Sequence, residues 1–157
     1  MTDAKAPTRR TGSAGSRKTW TDEERAAMQE GARERRAAPR AGSPEEREQG
    51  ERDVQEKLAG MPEHDRALGR RIHELVVATA PDLVPRTYYG MPAYAKDGKV
   101  ICFFKPASKF KVRYATFEFQ ADARLDDGSM WPVSFALTEL TGAEEARIEA
   151  LVKKAVS

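Results

Sequence analysis

One cysteine and two histidines in a chain of 157 residues leave little for disulfide, thiol or metal-imidazole chemistry. Cys102 alone excludes an internal disulfide framework. It falls in the apolar run Val100 to Phe104, which predicts a buried, inert thiol. His64 and His73 are nine residues apart and lack the i,i+4 relation of a two-histidine metal site, so solvent-facing or packing roles are expected. No apolar run approaches the roughly 20 residues that cross a bilayer, and the first residues lack the apolar core of a secretory signal. The expected location is cytoplasmic. Charge of one sign is also missing: 27 basic residues face 25 acidic ones, so no overall field gathers cations. No Ser/His/Asp constellation, phosphate loop, dinucleotide fingerprint or zinc spacing occurs. Catalysis therefore has the least support of any function class.

What the chain does contain is concentrated in Arg86-Thr-Tyr-Tyr-Gly-Met-Pro-Ala-Tyr94, Lys96-Asp-Gly-Lys99 and Val100-Ile-Cys-Phe-Phe104. Asp97-Gly98 between two strand-like runs is a hairpin signal, because a two-residue primed turn needs positive φ at its centre. Val100 to Phe104 has no polar alternation and reads as a strand inside a sheet, covered on both faces. Pro92 donates nothing to a ladder, which predicts a sheet edge or a bulge at the start of its strand. Lys105 to Lys109 reads as a loop. Phe110 opens a further strand, in which Phe110, Val112 and Tyr114 alternate with Lys109, Lys111 and Arg113 before the phase shifts to Ala115, Phe117 and Phe119. Trp131, Val133, Phe135 and Leu137 share one face of a last strand.

Helices flank these strands. Residues 1–18 have the composition of a disordered basic tail, with five cations and Asp3 as the one acid. Thr21 and Glu24 form a capping box for a helix to about Ala38, poor in apolar residues and expected to dock only through Trp20 and Met28. Ser43-Pro44 starts a second helix that Gly60 ends. A third follows Met61-Pro62, with a core stripe of Leu68, Ile72, Leu75, Val76 and Thr79, and stops near Ala80 before Pro81. Thr141 and Glu144 cap a closing helix with the stripe Ile148, Leu151, Val152 and Ala155. The organisation is thus a tail (1–18), a helical extension and linker (19–43) and an α+β domain (44–157). In that domain the third and last helices are expected on one face of an antiparallel sheet.

Tyr89-Gly90-Met91-Pro92-Ala93-Tyr94, the hairpin Lys96 to Val100, the Phe103 to Phe110 segment and the closing helix resemble the YdhG-like family of small bacterial proteins, within the superfamily of frataxin and CyaY-like folds. The resemblance covers roughly residues 50–157. It implies a frataxin-like fold, intracellular iron binding or chaperoning, and iron-sulfur assembly proteins as partners. It also implies weak carboxylate coordination, for which Glu56, Glu63 and Asp65 are the candidates. Arg66, Arg70 and Arg71 are interleaved with those acids, a pattern equally suited to solvated helix faces with i,i+4 pairs.

A second reading comes from the residues themselves. Tyr89, Gly90, Met91, Pro92, Tyr94, Lys105, Lys109 and Phe110, with Tyr88, Lys111 and Arg113 nearby, supply aromatic walls and cations suited to a small anionic or planar ligand. The same basic strand and the basic tail suit weak electrostatic contact with nucleic acid. The plainer alternative is that the tyrosines pack in the core and the basic face is simply solvated.

Overall fold

A computed structural model describes residues 19–40 and 42–157; the expected basic tail lies outside them. Five helices and five strands follow one another as α1 (Asp22–Ala37), α2 (Pro44–Ala59), α3 (Glu63–Thr79), β1 (Val84–Tyr88), β2 (Met91–Lys96), β3 (Lys99–Lys105), α4 (Ala107–Phe110), β4 (Ala115–Phe119), β5 (Ser134–Leu137) and α5 (Gly142–Val156). The expected caps form. Thr21 and Glu24 exchange both capping-box bonds, at 2.9 and 3.1 Å, and the Ser43 hydroxyl accepts from the Glu46 N–H at 3.2 Å.

The strands form one antiparallel meander in the order β1-β2-β3-β4-β5. Directly paired residues share a face, so the register sorts the side chains. Tyr94, Cys102 and Phe119 stand on one face, and Ala93, Phe103 and Glu118 on the other. Against the first face lie Val54 and Leu58 of α2, Ile72 and Val76 of α3, and Ile148 and Val152 of α5, all buried in one cluster with Tyr94, Phe104 and Phe117. This is an α+β protein in which the C-terminal helix packs on earlier helices. The covering layer is wider than expected, because α2 joins α3 and α5. Gly50 permits this: a Cβ there would sit 1.8 Å from the Pro85 carbonyl oxygen, so α2 reaches β1 only without a side chain at that point.

Three local expectations need correction. Pro92 is not at an edge, since β2 lies between β1 and β3. Its pairing partner is Thr87 on β1, whereas the ladder with β3 begins one residue later, at Ala93, so the missing N–H interrupts no pair of that ladder. The irregularity that does occur in β2 lies between Tyr94 and Ala95. Phe110 begins no strand: it ends the single-turn α4, which Lys111 closes at φ +52°, and β4 starts only at Ala115. The alternation from Phe110 to Tyr114 runs through the end of a helical turn and a bend. Finally, β5 is confined to Ser134–Leu137, and Val133 adds one bond by accepting from the Phe119 N–H at 2.7 Å.

The helical extension is docked, and not only through the residues expected. Trp20 is 43 % exposed and Met28 only partly buried, while Ala27 and Gly31 are the buried residues of α1. Glu23, Ala27, Glu30, Gly31 and Glu34 recur at spacings of four, three, one and three and form one stripe. That stripe faces the β1–β2 turn and α4.

Candidate functional site

Between β1 and β2 the chain turns through Tyr89 and Gly90, with Tyr88 paired to Met91. Both central residues have positive φ, +49° and +77°. This is the left-handed geometry of primed hairpin turns, and it costs a non-glycine residue such as Tyr89 about 1 kcal/mol. Adjacent left-handed residues turn their N–H groups toward one point, a ready pair of donors for an anion. A carboxylate occupies it: Glu34 of α1 accepts from the Tyr89 N–H at 2.9 Å and from the Gly90 N–H at 2.8 Å.

A second carboxylate sits beside the first. Glu30 accepts from the Lys109 ammonium at 2.8 Å and from Lys57 of α2 at 3.1 Å. Burial pushes the Glu30 carboxyl up, but the bonds from Lys109 and Lys57 outweigh it and leave the group below its ordinary value. Further along, Glu23 meets Lys111 at 2.7 Å. Space here is limited at two glycines. A Cβ on Gly90 would lie 1.9 Å from a Glu30 oxygen, and one on Gly31 would lie 2.7 Å from the Tyr89 ring.

Clefts open on either side of α1. One of about 450 Å³ is lined by Tyr88, Tyr89, Arg35, Arg86 and Lys99, with Glu34 and Asp122 as its acids. The Tyr88 and Tyr89 rings meet edge to face at 4.5 Å. Burial raises the Tyr88 hydroxyl above its ordinary value, and the neighbouring Tyr89 raises it further. The other cleft, about 770 Å³, lies between α1 and α2 and mixes both signs, among them Arg33, Glu46, Asp53 and Lys57.

The expected ligand residues divide between these places. Tyr89, Gly90 and Lys109 lie together at the turn. Met91 is buried in a small cluster with Ala93 and Phe103, against which Phe110 packs, and the Lys105 ammonium stands 4.8 Å from the Phe110 ring centre. The Pro92 and Tyr94 side chains are fully buried and are not among the residues that line these two clefts. Lys111 pairs with Glu23 and Arg113 lies over the Tyr114 ring at 4.9 Å, so the cations read as one basic strand point to separate places.

Tyr94 belongs to a different arrangement. Its hydroxyl lies 3.0 Å from Nδ1 of His73, whose Nε2 lies 2.8 Å from Glu51 on α2. An ionised carboxylate only accepts, so in the neutral ring Nε2 carries the proton and Nδ1 accepts from the tyrosine. Burial holds the Tyr94 hydroxyl well above its ordinary value, and burial likewise pushes up the Cys102 thiol, which is therefore inert as expected. The line satisfies buried groups. None of its three side chains lines either cleft, and of the two roles expected for His73 its burial fits packing.

The candidate metal carboxylates do not converge. Glu56 and Glu63 are exposed on α2 and α3, and Asp65 is buried. Asp65 accepts from the Ser108 N–H at 3.0 Å and from its hydroxyl, which fixes the first turn of α4. Among the described residues, no group of three or more His, Cys, Asp or Glu side chains is arranged to hold a metal ion.

Sequence reasoning missed Glu30, Glu34, Lys57, Arg86 and Lys99. A signal for the first two was present: the stripe from Glu23 to Glu34 has the spacing that identified the core face of α3, with carboxylates in place of leucines. Comparison of the chain with models of protein families, with curated proteins and with solved structures finds no match.

Proposed function

We propose that this chain is a non-catalytic binding protein for a small planar anion, received in the cleft between α1 and the strands β1 and β3. The observation that carries the reading is the charge left over in that cleft. Arg35, Arg86 and Lys99 line it, Glu34 is committed to the turn amides, and Asp122 is the remaining acid, 3.8 Å from Lys99. Two tyrosine rings supply an apolar wall, and a few cations beside aromatic surface suit a planar anion. The same proposal keeps the chain with the YdhG-like domains of frataxin-like architecture, on the sequence motifs and on the order of helices, antiparallel strands and closing helix. Iron handling would rest on that resemblance alone, since Asp65 is already committed to Ser108.

The test uses 2-naphthoate as probe and 2-naphthylmethanol as its neutral control, by calorimetric titration of the full chain. Saturable binding of the carboxylate that weakens with salt and falls at least about tenfold in Arg86→Ala, equivalent to 1.4 kcal/mol, is expected. Equal binding of the alcohol, or no saturable binding, overturns the reading.

A further inference from the structure

The contacts that hold α1 are those of a ligand on a receptor. Its docked stripe carries carboxylates at Glu23, Glu30 and Glu34 separated by Ala27 and Gly31, with no large apolar anchor among them. Facing it are Lys111, Lys109, Lys57 and the two amides of the Tyr89–Gly90 turn. The receptor is built at some cost on both sides. Tyr89 adopts a backbone conformation unfavourable for a side-chain-bearing residue, and Gly31 in the helix interior weakens α1 relative to alanine. Apolar burial is what normally fixes a helix. Here charge and backbone amides replace it, and such an occupant can be exchanged.

We propose that the β1–β2 turn with Lys109 and Lys57 is a docking site for an acidic helix of a partner protein bearing two carboxylates four residues apart, and that α1 is its built-in competitor. Two features of the site define the partner. The turn amides and the lysines accept two carboxylates on one helix face, at the i,i+4 spacing of Glu30 and Glu34. The Tyr89 ring admits only glycine immediately after the first carboxylate, because a Cβ on Gly31 would already lie 2.7 Å from it. The motif is therefore Glu-Gly-x-x-Glu. α1 is tethered through residues 38–43, so its effective concentration at the site is about 1 mM, and an outside helix gains access once α1 is released. This proposal does not depend on the naphthoate cleft, and the two tests read different ligands.

The probe is a capped synthetic peptide of residues 19–38 of this chain, titrated by fluorescence anisotropy into the full-length protein. In the Glu30→Gln/Glu34→Gln protein, whose own α1 is released, the peptide is expected to bind at least about tenfold tighter than in the unaltered protein. Adding Lys109→Ala to that protein, or replacing both peptide glutamates by glutamine, removes the binding. Gly31→Val, which drives α1 off by collision with Tyr89, is a second route to the released state should the double variant fold poorly. Absence of peptide binding to either released protein overturns the proposal, as does equal binding to the unaltered one. A doubling of mass of the unaltered protein with concentration, abolished by Glu30→Gln/Glu34→Gln, would assign the site to a second copy and overturn the partner reading.

Discussion

His73 is the residue whose environment most constrains its chemistry. It is buried between a fully buried tyrosine hydroxyl and a half-exposed carboxylate, and each ring nitrogen has one partner. Tyr94→Phe removes a partner and leaves Nδ1 buried and unpaired, a loss expected to cost about 1–2 kcal/mol in urea unfolding. Adding His73→Phe to Tyr94→Phe should cost less than the two single changes summed, because no orphan then remains, and strict additivity in that double-mutant cycle would show that the two side chains act independently. The sequence placed both residues correctly as to solvent only in part. It left His73 between a solvent-facing and a packing role and offered Tyr94 as a pocket wall, because a tyrosine two residues after a proline carries no sign of which sheet face it takes. Only register decides that.

At the level of the element, α1 is the segment whose docking responds to conditions. Glu30 has a folded-state pKa depressed by Lys109 and Lys57 after burial has been overcome. A depressed carboxylate contributes stability that is fully present above its unfolded value of 4.5 and that disappears as pH falls through the lower folded value. Amide exchange across residues 22–37 should therefore be protected at neutral pH and lose protection as pH falls below 4.5, ahead of β3; protection of α1 that persists to the pH at which β3 opens would contradict this. Capping boxes and the Asp97-Gly98 turn made most element ends legible, since those signals are local. Two elements were not. α4 is one turn long and held by Asp65 from a distant helix, and the docked face of α1 is made of acids, which a search for apolar stripes passes over.

For the whole molecule, the main core and the α1 contact are separate bodies of interaction. Cys102 is fully buried in the first and shares nothing with the second. Reaction of its thiol with a disulfide reagent therefore reports opening of the sheet and its helices. The labelling rate should be the same in the unaltered protein and in Glu30→Gln/Glu34→Gln, although the latter loses exchange protection in α1; a labelling rate raised many-fold would make α1 a cooperative part of the core. The α+β order was readable from the sequence because each strand signal was followed by its own turn. The arrangement of the sheet carries a kinetic consequence. Strands that neighbour one another in space are also neighbours along the chain. The β1–β2 and β2–β3 hairpins close through two residues each, β4 and β5 are reached through longer connections, and the widest sequence separation falls to α5, which joins α3 through the Arg71–Glu145 pair at 2.6 Å. Docking of α5 is therefore the expected slow step, and Ile148→Ala should slow refolding in a stopped-flow experiment more than a truncation at the β1–β2 pair does; the reverse order would contradict this.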